Sequence, residues 1–232
     1  MKAKNRSIEK IIEEQVQRWQ LQQAKKEEEK FFPVITISRE PGSGGRSIAE
    51  KLSEKFGLSL FHQEVVHEMA ENAQVSTRLL AFLDEKAQNV LDEWIASLVD
   101  AQHLWPDRYL RHLMKIIGTI GKHGKAVIVG RGANFVLAPE KCFRLRVVAP
   151  MEVRVKNVSQ AFDVSTEDAR RRVIRTESDR KAFIRKYFNA NIADPMNYDM
   201  IINTGTVSVD CAVDAIAKAI GEIGRASCRE RV

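Results

Sequence analysis

Three glycines, an arginine and two serines fill Gly42-Ser-Gly-Gly-Arg-Ser47, directly after the β-branched run Val34-Ile-Thr-Ile37 and before residues with helical spacing. Glycines 42, 44 and 45 let the backbone turn several N–H groups toward one point. The helix that follows adds its positive N-terminal end, so an anion can bind there. Against the pattern G-x-x-x-x-G-K-[ST], the segment Glu40 to Ser47 matches at Gly45 and Ser47. It departs where Glu40 replaces the first glycine and Arg46 replaces the phosphate-contacting lysine. Strand, loop and helix in that order support a phosphate loop. The competing reading is a tight strand-to-helix turn that holds nothing.

Other residues with chemistry to offer stand at the ends of expected strands. Gly130-Arg131-Gly132 follows the buried-strand run Ala126 to Val129. Two glycines around an arginine suit close backbone approach beside a bidentate anion contact; the alternative is a surface turn with a solvated arginine. His62, Gln63 and Glu64 follow the run Leu58 to Phe61, at the strand end where open α/β sheets place ligand contacts, and His62 there reads either as a turn or cap residue or as a contact. From Glu167 to Lys186 the chain carries Arg170, Arg171, Arg172, Arg175, Arg180 and Arg185. Pairs such as Glu167 with Arg171 could simply support an exposed helix. Arg172 and Arg175 share a face, and Asp179-Arg180 follows where the pattern breaks, which suits an arginine-bearing lid over phosphates.

The elements that position these residues follow from periodicity. Ile48, Leu52 and Phe56 give the loop helix one buried face, Gly57 ends it, and Leu58 to Phe61 completes a parallel βαβ unit. Residues 64–123 read as helical, divided at Pro106, and are expected to cover one edge of the sheet; Trp94 and Trp105 are expected as core anchors. Leu145 to Ala149 reads as a strand and Pro150 as the start of a helix. Asp199 to Gly205 reads as a last strand and turn, and Val207 to Ile223 as a closing helix. Residues 1–32 place Ile8, Ile12, Val16 and Trp19 on a narrow apolar stripe that could pack on the domain or on a second copy of the chain. Pro33 breaks that helix. Residues 225–232 read as a disordered tail or an appended remnant.

With 232 residues, 44% of them hydrophobic, the chain suits one domain with appendages. No apolar run approaches the length of about 20 residues that crosses a bilayer, and the charged N-terminus lacks a secretory core, so the cytoplasm is the expected location. Cys142, Cys211 and Cys228 have neither zinc-ligand nor disulfide-framework spacing. A net charge of +6 favours a polyanionic partner. Without aromatic and basic interleaving or a nucleic-acid motif, nucleotides suit it better than nucleic acid. No Ser-His-Asp set or HExxH pattern competes for a catalytic role.

Ile35-Thr-Ile-Ser-Arg-Glu-Pro-Gly-Ser-Gly-Gly-Arg-Ser-Ile-Ala49, Val127-Ile-Val-Gly-Arg-Gly-Ala133 and Tyr198-Asp-Met-Ile-Ile-Asn-Thr-Gly205 together resemble the cytidylate kinase-like family, in order over about residues 33 to 222. The resemblance implies a three-layer α/β/α P-loop nucleoside monophosphate kinase fold over 33–224. It has a central parallel sheet, a monophosphate-side helical insertion at 64–123 and an arginine-rich lid at 163–190. It implies transfer of the γ-phosphate of ATP to CMP or dCMP with Mg²⁺. Gly42, Ser43, Gly44, Gly45, Arg46 and Ser47 would hold the ATP phosphates, with Arg46 in the lysine's role and the Ser47 hydroxyl toward the metal. Arg131, with His62 near it, would serve the acceptor, and Arg172, Arg175 and Arg180 the lid, oriented by Asp179. The chain departs from the family at Gly132 and His62, where relatives carry aspartates. Two other functions stay open: a nucleotide-binding regulatory module without turnover, suggested by those missing carboxylates, and a kinase of a non-nucleotide small acceptor on the same fold.

Overall fold

Every residue from Val34 to Ser38 is buried, so this run can serve only as an interior strand covered on both faces. The computed structural model describes residues 34–72, 83, 85–104 and 106–229, with 222–229 as backbone, together with Lys10, Glu14 and Gln17. The apolar stripe of the N-terminal helix, Leu79 to Phe82 and Trp105 lie outside the described residues. Strand β1 (Val34–Arg39) is the middle of a five-stranded sheet with β2 (Ser59–Phe61), β3 (Ala126–Val129), β4 (Cys142–Val148) and β5 (Met200–Asn203), in the order β2-β3-β1-β4-β5. All neighbours pair in parallel, with Ile37 opposite Val129 on one side and Leu145 on the other. Parallel strands need crossovers, and helices supply them.

Alternate residues of the strands face opposite layers. Ile35, Ile37, Val127, Val129, Leu145 and Val147 pack against α1 (Gly45–Phe56) and the closing helix α8 (Val209–Arg229). Lys51 and Lys55 of α1 also pair with Asp210 and Asp214 of α8. Val34, Phe61, Ala126 and Ile128 pack on the opposite side against α2 (Gln63–Glu71) and α4 (Arg108–His123). Helix α3 (Glu85–Ala101) lies outside α4, where a Cβ on Gly118 would meet Leu91 at 2.3 Å. The fold is therefore the expected three-layer α/β/α sandwich around a parallel sheet. The described residues within 64–123, expected to cover an edge, instead form much of one face. Trp94 is 37% exposed and held by its indole N–H, which donates to the Val136 carbonyl at 2.9 Å, so it is a half-exposed anchor rather than a core one. The backbone of α8 runs on to Arg229.

The short helix α5 (Ala133–Val136) follows β3. Between β4 and β5 lies a helical hairpin, α6 (Met151–Phe162) and α7 (Thr166–Phe188), with its own small core of Val155, Val158, Ala169 and Val173. Helix α7 is 23 residues long and continuous through Asp179 and Arg180, where a break was expected. Its Glu- and Arg-rich stretch contains neither glycine nor proline, so nothing in the sequence stops the helix. Ser165 caps its start by accepting from the Asp168 N–H, and Asn189 ends it in the left-handed conformation.

Candidate active site

The glycine-rich segment forms a loop between β1 and α1 that is held from outside. Gly42 and Gly44 have φ of 79° and 76°, values that L side chains rarely adopt, and Gly44 is the N-cap of α1. The Gly42 carbonyl accepts from Asn157 Nδ2 at 2.8 Å and the Ser43 carbonyl from Thr204 Oγ1 at 2.8 Å. Both loop carbonyls are thus occupied by α6 and by the residue after β5, while the first-turn N–H groups of α1 have no intrahelical acceptor. That combination suits an anion. Helix α6 presses so closely that a Cβ on Gly42 would meet the Arg154 carbonyl oxygen at 2.4 Å.

Glu40 supplies a reason for its own departure from the pattern. Its carboxylate accepts from the Ala149 N–H at 3.0 Å and lies 3.4 Å from Arg154 Nε and 3.8 Å from Arg146 Nη2. Arg154 also pairs with Glu177 of α7 at 2.7 Å. Burial opposes ionisation of Glu177, yet hydrogen bonds from Lys181 and Arg154 hold its carboxyl below the ordinary carboxylate range. Loop, sheet and hairpin are therefore braced together through two nearly buried arginines and their carboxylates.

A cavity of about 350 Å³ opens at the C-terminal ends of β1 and β3, lined by Arg39, Gln63, Arg131, Asn134, Asp179, Arg180 and Phe183 among others. Arg180 Nη1 donates to the Arg39 carbonyl at 2.8 Å, and Arg39 Nη2 donates to Gln63 Oε1 at 2.9 Å. Arg131 has φ of 54° between two left-handed glycines, a strained setting for a side chain, and its guanidinium lies 5.3 Å from the centre of the Phe183 ring. Burial, then the guanidinium of Arg180, pushes Arg39 down to about 9; burial also lowers Arg180, partly offset by Glu64. Glu64, at the head of α2, stays below the ordinary carboxylate range although burial opposes this, because its own N–H and the Gln63 amide hydrogen-bond to it. Asn134 Nδ2 is a buried donor without a hydrogen-bond partner. Three guanidinium groups facing one cavity suit an anionic ligand.

The expected site residues divide. Gly42, Ser43, Gly44 and Gly45 form the loop, and Arg131, Asp179 and Arg180 come together at the cavity. Arg46, the second residue of α1, is directed outward, with its side chain 67% exposed and paired with Glu50 at 3.2 Å. Ser47 is exposed in the same first turn. Arg172 lies over the Phe162 ring at 3.8 Å, away from the cavity, and Arg175 is exposed on α7. His62 is the N-cap of α2 but makes no capping bond; its ring lies 3.8 Å from Glu50, and burial, then Arg46, lowers its pKa. Gly132 has a steric reason for lacking the aspartate: its φ is 70°, and a Cβ would meet the Phe188 ring at 2.2 Å. Phe188 is itself buried and stacked on Phe135. Arg39 and Asn134 were not singled out from sequence; the place of Arg39 at a strand's C-terminal end was the available signal.

Among the described residues no three His, Cys, Asp or Glu side chains lie together as a metal site. Ser47, exposed in the first turn of α1, carries a hydroxyl oxygen beside the loop. Nor is any described helix long and apolar enough to cross a membrane.

Comparison with known proteins agrees with this geometry. The model of the cytidylate kinase-like family matches residues 34–206, from the start of β1 to just past β5. The cytidylate kinase of Ignicoccus hospitalis is 25% identical over 188 residues, covering 81% of this chain and 98% of that protein. The cytidylate kinase of Pyrococcus horikoshii is 27% identical over 188 residues, covering 80% and 86%. A crystal structure of an uncharacterized protein from Eubacterium ventriosum superposes with a TM-score of 0.62 at 23% identity, covering 82% of this chain and 98% of that one, and supports the fold. Fold and relatives together support kinase-like phosphotransfer in general. With a phosphate loop heading the sheet and a family match spanning all five strands, this chain belongs to the cytidylate kinase-like family.

Proposed function

We propose that the protein transfers the γ-phosphate of ATP to a nucleoside monophosphate, with CMP or dCMP as the preferred acceptor. The observation that carries this reading is the cavity where Arg39, Arg131 and Arg180 converge beside the phosphate loop. A monophosphate dianion offsets much of the charge of the three guanidinium groups there, while Phe183 offers an aromatic surface to the rest of the acceptor. The donor's phosphates would lie on the loop N–H groups, with its Mg²⁺ near Ser47. When bound, Mg²⁺ offsets charge on the phosphate oxygens.

The chemistry needs no covalent nucleophile. An oxygen of the acceptor phosphate, already ionised, donates a lone pair to the γ-phosphorus while the bond to the ADP oxygen breaks and ADP leaves with its electron pair. No proton has to move. Holding the two substrates in line and stabilising the transferring group do most of the work, and backbone amides and guanidinium groups supply both. Among the relatives, those of Ignicoccus hospitalis and Pyrococcus horikoshii are cytidylate kinases, which favours a cytidine acceptor. The test is coupled ADP release from ATP and Mg²⁺ with a panel of monophosphates and small hydroxylated metabolites. Acceptor-dependent release led by CMP or dCMP is expected. Thermal stabilisation by nucleotides without any release would instead support the regulatory module, and release led by a non-nucleotide would move the acceptor class.

A further inference from the structure

We propose that Arg39 is a catalytic residue of this site, its guanidinium lying between the γ-phosphate of the donor and the phosphate of the acceptor and supplying the charge that a loop lysine supplies in the common pattern. This rests on the phosphoryl-transfer reading above. Helix α1 starts at Gly45, straight after the left-handed N-cap Gly44. The position that follows the loop's last left-handed glycine, where the pattern puts lysine, therefore has no side chain. The space beside it belongs to Arg39: a Cβ on Gly45 would meet Arg39 Cβ at 2.6 Å and Cγ at 3.2 Å. From the loop the side chain reaches the acceptor cavity, where Nη2 is aimed by Gln63 Oε1 at 2.9 Å. Its Nη1 stands 2.6 Å from the point a Cβ on Gly130 would occupy, so glycine at 130 leaves room for the guanidinium.

Charge supports the same role. Among the described residues Arg39 pairs with no carboxylate, whereas Arg144, Arg146, Arg154 and Arg171 each do. Glu64 offsets only part of the cost of holding this half-buried guanidinium beside those of Arg180 and Arg131, and an anion in the cavity would offset more. Its planar fork can contact oxygens of two phosphates at once, which a lysine at the loop could not do from the same distance. As the acceptor oxygen bonds to the γ-phosphorus and ADP departs, negative charge is spread over oxygens on both sides of Arg39, where a preorganised cation is most effective.

The experiment measures steady-state transfer from ATP and Mg²⁺ to CMP for the wild type, Arg39→Gln, Arg39→Lys and Gln63→Leu, with thermal shifts by ATP alone and by CMP alone. Arg39→Gln is expected to lose kcat by about two to three powers of ten while ATP still raises its Tm. Arg39→Lys should regain part of that loss, since charge returns without the fork. Should Arg39→Gln fail to fold, Gln63→Leu carries the test, because it removes the hydrogen bond that aims the guanidinium, together with the exposed bond from the Gln63 amide to Glu64, and leaves Arg39 itself in place; about tenfold lower kcat at an unchanged Tm is expected. A wild type that transfers phosphate alongside an Arg39→Gln protein within threefold of its kcat, or a Gln63→Leu protein with unchanged kcat, overturns this proposal alone. A wild type with neither transfer nor a shift by any monophosphate overturns it together with the proposed function.

Discussion

The loop at Gly42–Ser47 and the cavity around Arg131 are both suited to phosphate, but by opposite means. The loop uses backbone: its carbonyls are tied to Asn157 and Thr204, and the one arginine within it points outward to Glu50. The cavity uses side chains, gathering three guanidinium groups from β1, the turn after β3 and α7. Backbone N–H groups are fixed by the chain path and tolerate changes in side chain; guanidinium groups depend on each being present and aimed. Side-chain substitutions should therefore damage the acceptor side far more than the donor side.

The largest effect should come from placing at position 132 the carboxylate that the family resemblance leads one to expect there. Gly132→Asp places a side chain against the buried Phe188 ring at a left-handed position, so it should cost about 3 kcal/mol or more and lower Tm sharply, as denaturation followed by circular dichroism would show. A stable variant with improved acceptor binding would break the comparison at its most specific point. Next comes Glu40→Gln, which leaves Arg154 with one carboxylate and Arg146 with none among the described residues. A loss of about 1–3 kcal/mol in urea denaturation is expected, with acceptor and donor affinities reduced alike, because the brace supports both sides.

Arg46→Ala is the sharper probe of the donor side. Its exposed pair with Glu50 is worth less than about 1 kcal/mol, and the loop N–H groups remain. ATP binding by calorimetry should be nearly unchanged and turnover lowered by less than about tenfold, well below the loss expected on the acceptor side. A hundredfold loss of turnover would restore Arg46 to the lysine's role. The remaining prediction concerns neither side. Burial lowers His123, the last residue of α4, to about 4. The unfolded chain then takes up a proton that the folded one refuses, so stability should fall as pH drops from about 6.5 toward 4 and level off below that. His123→Gln should flatten that part of the pH profile of Tm, whereas an unchanged slope would assign it to other groups.

Much of the frame was legible because it rests on local signals. The spacing of Ile48 and Leu52 marks the buried face of α1, Gly57 its end, and the apolar runs at 34–37 and 126–129 the two strands that carry the site. The cavity was less legible because its contacts are long-range. Arg39 meets Gln63 across 24 residues and Arg180 across 141, and no periodicity in β1 distinguishes a terminal arginine that turns into a cavity from one that meets solvent. Conversely, the match of Arg46 to a lysine position depended on where the loop ends, and the helix begins one residue earlier than that match requires. The surplus of arginines in α7 was visible, but helical geometry sends Arg172 to Phe162 and Arg180 to the cavity, a division fixed by how the hairpin lies on the sheet.

The division of labour between loop and cavity is tested most directly by titrating ATP with Mg²⁺, and separately CMP, into the wild type and Arg131→Ala, with affinities read by calorimetry. Arg131 lines the cavity over Phe183, and its guanidinium donates to the Gln63 carbonyl rather than to the loop. The expected result is that Arg131→Ala weakens CMP by about ten- to a hundredfold, the cost of one charge-assisted contact of 1.5–3 kcal/mol by order of magnitude, and leaves ATP within about twofold of the wild type. Equal weakening of both nucleotides, or an unchanged affinity for CMP, would contradict the assignment of the arginine cavity to the acceptor.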